Sequence, residues 1–362
     1  MKGHVGKLVA YFVVIAALIT AGISIPYWFG GSWMPDLIDT EGSRIDQLFW
    51  GLVILSIVIL AIVMTIVIYS IRHFVAKPGD DDDAEGEPIH GNHRIEIVWT
   101  VVPAIIVVVV GMLSFNVLST NEQAPAKGKP AMSVFVRGFS FGWKFAYTPK
   151  LYTIEQVHQL ELAGHGPVLD KPESADLVIP INTTIRFHAM SCSRQEGLTP
   201  QREGDKIVEL KSTCYRRYGK PVGAVVTEKG FIPGQEADVN HSFWVPEARL
   251  KIDTISGLSS WVQWTPTKLT GADEHLQVVC AFLCGSGHNT MRADVCVVPG
   301  AVYTWWQGKL TDTSSVPCTH LRLFTCTTAS DYDTLDTVAG AVLTKNPDAR
   351  CDDFTKTLKE QA

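Results

Sequence analysis

The sequence predicts an α+β membrane protein in which a two-helix transmembrane hairpin precedes an all-β sandwich held outside the bilayer. Three observations lead there. Hydrophobic residues make up 46% of the 362 residues and charged residues only 19%, and the mean hydropathy is positive at +0.13, which is too apolar for a disordered chain or an ordinary soluble enzyme. Two long apolar stretches lie in the first third. The middle of the chain breaks into short apolar or alternating runs separated by Pro, Gly and Asn, the spacing of a sandwich or barrel.

The first long stretch, over residues 46–74, has no charged residue between Gln47 and Arg72, and about 20 apolar residues suffice to cross the hydrocarbon core. The second, over 95–119, carries one charge near its start, Glu96. Both are rich in β-branched residues, yet two isolated strands cannot close a barrel, so each must satisfy its backbone as a helix. A third run, Leu8–Phe29, follows Lys2 and Lys7 and ends near small residues at Thr20-Ala21-Gly22. Residues 1–30 therefore fit either a secretory signal peptide or an extra N-terminal transmembrane helix.

Basic residues orient the hairpin. Lys2, Lys7, Arg72, Lys77 and Arg94 share one side, while the 30–46 loop holds only Arg44. The 75–94 loop is thus cytoplasmic despite its run Asp80-Asp81-Asp82-Asp83, because acids count little in this rule. Everything after a polar linker at 120–130 lies outside. Charge names no partner: residues 131–310 sum to +1, and no basic stripe marks a nucleic-acid binder.

Strand-like runs follow at Ser133–Phe139, Ala175–Ile181, Thr183–Ala189, Gly223–Glu228, His241–Pro246, Leu276–Phe282 and Ala293–Trp306. They place a β domain over 131–307, interrupted by an insertion at 191–237. A C-terminal extension at 308–362 turns Thr- and Asp-rich, with short helices expected at Asp333–Leu343 and Phe354–Leu358.

The chemistry concentrates in Cys280-Ala-Phe-Leu-Cys284-Gly-Ser-Gly-His288-Asn-Thr-Met291. Thiols with imidazole select copper, zinc or iron–sulfur chemistry. A thioether argues against structural zinc and for copper electron transfer. A disulfide between Cys280 and Cys284 is the plain alternative. A second imidazole, His241, opens the apolar run His241-Ser-Phe-Trp-Val-Pro246.

In this order the motifs resemble cytochrome c oxidase subunit II, whose copper centre, CuA, is dinuclear. The resemblance is carried by the helical hairpin, Glu96-x-x-Trp99-Thr100-x-x-Pro103, Asp238–Pro246 (DVNHSFWVP), Leu250–Gly257 (LKIDTISG) and the Cys-His-Met loop, over roughly residues 45–310. It implies a cupredoxin-like all-β sandwich holding two copper ions. Cys280 and Cys284 would bridge both metals, His241 and Met291 would complete one, and His288 with the main-chain oxygen of Phe282 the other. It implies an electron-entry subunit of a respiratory oxidase in the bacterial inner membrane. The copper domain would lie on the outer, periplasmic side and take electrons from a c-type cytochrome or cytochrome domain. The partners would be a haem-bearing subunit I, the other oxidase subunits and membrane lipid, with haem and oxygen chemistry in the partner. A copper-free quinol oxidase subunit II and a membrane-tethered copper carrier or sensor are the rival readings.

Two departures from the family pattern bear on function. Phe282 stands where the family has a Glu that helps hold magnesium, so no magnesium ligand is assigned. Phe141, in Phe141-Gly-Trp143-Lys-Phe145-Ala-Tyr147, takes the place of the family's electron-entry Trp and leaves Trp143 as the candidate for that role. Glu96 would lie at the mouth of a proton pathway, or simply favour the start of its helix through the dipole. Six further cysteines on the oxidising side favour disulfides, and the expected pairs are Cys192–Cys214 and Cys318–Cys326.

Overall fold

A computed structural model describes residues 2–75, 79, 91–163, 173–191, 199–203, 206–211, 224–227, 230–233, 239–255, 259–271, 274–311 and 315–361. These form two compact units, one of residues 1–35 and 44–120, the other of 36–43 and 121–362.

Three helices make the first unit: α1 (Lys2–Trp28), α2 (Glu41–His73) and α3 (His93–Asn121). Each is long and apolar enough to cross a membrane, so the expected pair of helices becomes three. α1 runs antiparallel to α2, with Tyr27 against Trp50 at one end and Tyr11 against Tyr69 at the other. Ala61, Thr65 and Tyr69 are buried four residues apart, which puts them on one face of α2.

The second unit is built on two sheets. The strands are β1 (Ala131–Phe139), β2 (Gly142–Thr148), β3 (Leu177–Pro180), β4 (Thr184–Ser191), β5 (Thr199–Glu203), β6 (Lys206–Lys211), β7 (Ala224–Thr227), β8 (Gly230–Pro233), β9 (His241–Val245), β10 (Leu250–Thr254), β11 (Ser260–Trp264), β12 (Gln277–Cys280) and β13 (Arg292–Val298). One sheet has the order β11-β4-β1-β2 and the other β10-β9-β12-β13-β3, while β5-β6 and β7-β8 are separate ribbons. Phe145, Phe187 and Phe243 meet between the sheets with ring centroids 5.4–6.4 Å apart. Burying such rings stabilises the sandwich by about 1.5–3 kcal/mol each.

β4 is buried on both sides, because the segment at Tyr152, just before α4 (Ile154–Ala163), lies over the face turned away from the core. That cover puts polar groups inside. Arg186 Nη1 donates to the Tyr152 carbonyl at 3.0 Å, its Nη2 donates to Gln263 Oε1 at 2.9 Å, and its guanidinium lies 4.9 Å over the Trp261 ring. His188, 1% exposed, stacks on Phe135 at 5.1 Å. Burial, with the neighbouring Arg186 charge, lowers its pKa from 6.5 to about 3.

The extension is helical: α5 (Gly300–Lys309), α6 (Cys318–Phe324), α7 (Tyr332–Lys345) and α8 (Cys351–Gln361). α7 and α8 cover the two helices expected there. The expected strand at Ala293–Trp306 is corrected, since β13 stops at Val298 and α5 begins at Gly300. Pro299 between them has no N–H to give the ladder and is tolerated at a helix start. With these helices the unit is not all β.

Trp306 of α5 is fully buried and meets Tyr147 edge-on at 5.3 Å. The Tyr147 hydroxyl donates to the Asp176 carbonyl and accepts from Val178 N–H. Burial raises its pKa well above the usual phenol value.

The disulfides differ from expectation. Cys296 pairs with Cys318 and Cys326 with Cys351, so the expected Cys318–Cys326 bridge does not form. Those two residues are eight apart along α6 and its end, roughly 12 Å by helical rise, whereas a disulfide needs Cα atoms within about 7 Å. The expected Cys192–Cys214 bridge lies outside the described residues.

Two outcomes are expected. Replacing Cys296 and Cys318 together by Ala lowers the stability of the second unit by about 3 kcal/mol, read by urea denaturation, with hydrogen-exchange protection lost first in α6–α8. For His188 the unfolded chain binds the proton that the folded one refuses. Stability is therefore complete above pH 6.5 and falls as pH drops toward 3, by about 1.4 kcal/mol per pH unit across that window. His188→Gln flattens this slope, and an unchanged pH dependence would count against it.

Candidate metal centre

Two strands and the loop that follows one of them converge at one end of the sandwich. His241 opens β9 and is fully buried. Cys280 closes β12, whose pairing with β9 sets Cys280 opposite Phe243, and so brings together groups 39 residues apart in sequence. Cys280 Sγ lies 3.9 Å from His241 Nδ1 and 3.8 Å from Cys284 Sγ. Cys284 Sγ is 3.6 Å from His288 Nδ1. The thiol of Cys280 donates to the main-chain oxygen of Phe282 at 3.2 Å. The expected alternative of a bridge between the two cysteines is absent, since a disulfide requires about 2.05 Å.

The loop between the thiols and His288 turns on local bonds. His288 N–H reaches the Gly285 carbonyl at 3.1 Å, and Met291 N–H the His288 carbonyl at 3.3 Å. Met291 is fully buried, and its carbonyl accepts from Cys280 N–H at 3.2 Å and from Trp143 Nε1 at 3.4 Å. Gly285 has φ +131°, a conformation suited to glycine. A Cβ at Gly287 would fall on the Phe141 ring, 2.9 Å from that residue's own Cβ.

The two aromatics singled out from the sequence occupy different layers. Trp143 is 3% exposed and stands edge-on to His241 at 6.2 Å. Phe141 is 37% exposed and covers the glycines of the loop. Phe282 turns its side chain outward at 43% exposure beside Leu283 at 81%, leaving only its carbonyl toward the sulfurs.

Two positions escaped the sequence reading. A Cβ at Gly138 would stand 3.2 Å from His241 Cδ2 and 3.1 Å from both Thr254 Oγ1 and the Trp143 ring, so glycine is what lets β1 pass beside the imidazole. Thr254, buried opposite His241 across β9 and β10, completes that wall. A glycine inside a strand was the available signal.

The donor set can be tested against a metal. Among the described residues the ligand atoms of His241, Cys280 and Cys284 lie within 4.8 Å of one another. Two sulfurs, two ring nitrogens and a main-chain oxygen around one space, walled by Trp143, Met291 and Phe243, suit soft or borderline metals and not calcium or magnesium. The residues fit copper.

Glu96 is placed in the first turn of α3. Its carboxylate accepts from Asn92 N–H at 3.2 Å and pairs with His93 Nδ1 at 3.0 Å. That is the helix-start role of a reciprocal cap.

Residues 33–117 match the family described as cytochrome c oxidase subunit II, transmembrane domain. The resemblance to cytochrome c oxidase subunit II is borne out. Cytochrome c oxidase subunit 2 of Thermostichus vulcanus is 25% identical over 313 residues, covering 79% of this chain and 83% of that protein. Quinol oxidase subunit 2 of Bacillus spizizenii is 27% identical over 165 residues, covering 44% and 50%. The solved periplasmic domain of subunit II of cytochrome oxidase of Bradyrhizobium japonicum covers 49% of this chain and 92% of its own, at 17% identity and a TM-score of 0.28.

The contact of Phe141 with the thiol loop gives a double-substitution test. Gly287→Ala forces ring and loop apart, costs about 1–3 kcal/mol, and speeds modification of Cys280 and Cys284 by a thiol reagent. Adding Phe141→Ala restores slow modification, and failure of that rescue would falsify the contact.

Proposed function

We propose that this chain is the electron-entry subunit II of a respiratory cytochrome c oxidase in a bacterial inner membrane, with the sandwich on the periplasmic side. The observation that carries the reading is the approach of His241 Nδ1 to within 3.9 Å of Cys280 Sγ while both thiols of the Cys280–Cys284 pair stay unbridged. His241, Cys280, Cys284, His288, Met291 and the carbonyl of Phe282 would hold two copper ions. Copper held by these residues would supply one-electron redox chemistry, with donors that the sandwich already fixes in place.

The residues prepare for that task. Cys280 and Cys284 are each 8% exposed, so water is largely kept from the sulfurs. Both thiols must lose their protons to ligate, and metal binding therefore strengthens as pH rises. The Trp143 indole, bonded to the Met291 carbonyl and edge-on to His241, holds the wall and is the candidate for electron entry in place of Phe141. A c-type cytochrome or cytochrome domain would be the donor. A haem-bearing subunit would be the acceptor and carry the oxygen chemistry. Phe282 offers an apolar side chain where the family has a carboxylate, so no magnesium is proposed. Glu96 is proposed as a group at the mouth of a proton path, a role it would add to capping α3.

The match to quinol oxidase subunits favours a second reading, a copper-free subunit. Retention of every side-chain donor opposes it. A membrane-tethered copper carrier would surrender its metal to a chelator and show no shared-valence signal.

The purified chain should bind two coppers and give a mixed-valence paramagnetic spectrum. Cys280→Ser should abolish the spectrum without unfolding the sandwich. A ratio of one copper or none rejects the assignment.

A further inference from the structure

The mouth of the groove between α1 and α2 carries charge that neither helix balances. It has a volume of about 380 Å³ and is lined by Lys7, Ala10, Tyr11, Val14 and His73. Its polar end is formed by Lys7 and the neighbouring Arg72, whose Nη1 donates to the Tyr11 hydroxyl at 3.4 Å and whose guanidinium sits 5.6 Å over the Tyr11 ring. His4 hydrogen-bonds Tyr69, and His73 stacks on Tyr69 at 4.1 Å. α1 contains no Asp or Glu, and those of α2, Glu41 and Asp46, are at its other end. Among the described residues neither Lys7 nor Arg72 makes an ion pair. Beyond the mouth, Ala10 and Val14 continue as an apolar floor.

We propose that this groove binds an anionic phospholipid of the cytoplasmic leaflet, its phosphate between Lys7 and Arg72 and its acyl chain along Ala10 and Val14. Three features select that occupant. The cations lie at the ends of two apolar spans, at headgroup level, where tyrosines also concentrate. This end bears the basic excess that faces the cytoplasm, whose leaflet is the anionic one. The site pairs a charged mouth with an apolar floor, as a lipid does and a soluble anion does not. The proposal is independent of the copper centre.

The test uses the full-length chain in vesicles of phosphatidylcholine and phosphatidylglycerol in equal amounts, extracted gently and weighed by native mass spectrometry. Wild type should retain phosphatidylglycerol in preference to phosphatidylcholine. Lys7→Gln and Arg72→Gln should each lower that preference about fivefold, whereas Arg44→Gln, at the opposite end of α2, should leave it unchanged. Equal retention of both lipids overturns the proposal. So does an unchanged preference in the Lys7→Gln/Arg72→Gln chain. A mature chain lacking residues 1–28 overturns it as well.

Discussion

The structure depends on the register between β9 and β12. Those strands put a histidine that begins one run beside a cysteine that ends another, and every other feature of the centre serves that meeting. A slip by one residue would turn the alternate side chains over, taking His241 away from the sulfurs and setting Ser242, which is buried on the opposite face, in its place. Phe243 and Val245, packed in the core, hold the register against such a slip. Gly138 then clears the space beside the imidazole. The chemistry is positioned by ordinary sandwich packing, and only the 281–291 loop is special.

Much of this was legible beforehand, for a physical reason. Soft donors at short spacing, glycines between them and a histidine at a strand start carry their chemistry in their identity. Long uncharged runs likewise leave no choice but a helix in lipid. The pattern failed where tertiary cover overrides periodicity. β4 reads as a half-exposed strand, yet the segment before α4 roofs it, so Arg186 and His188 are interior residues that need partners or must stay neutral. Residues 300–306 are aromatic enough for a strand, and the Pro299-Gly300 break that makes them a helix is a local signal outweighed by composition. Disulfide partners were beyond reach because they depend on which strands and helices meet in the fold.

The two aromatics near the centre show how position changes the meaning of a residue. Trp143 and Phe141 are two apart on neighbouring turn and strand, and from sequence either could be packing. The fold gives Trp143 to the interior wall and Phe141 to the loop's outer surface, where it restricts the backbone between Cys284 and His288. The substitution at 282 has a simpler effect, because its side chain leaves the site and its carbonyl stays.

The sulfur chemistry of the second unit is divided. Four described cysteines are oxidised in pairs and two are kept reduced, with Cys296 only a dozen residues beyond Cys284 in the chain. An unfolded polypeptide meeting an oxidant would have no means of telling these sulfurs apart. The native division arises from geometry alone, since Cys296 and Cys318 are enclosed against one another by β13 and α6 while Cys280 and Cys284 are splayed around a common space. Maturation is therefore a question of sequence in time, with collapse of the sandwich coming ahead of oxidation if the reduced pair is to survive.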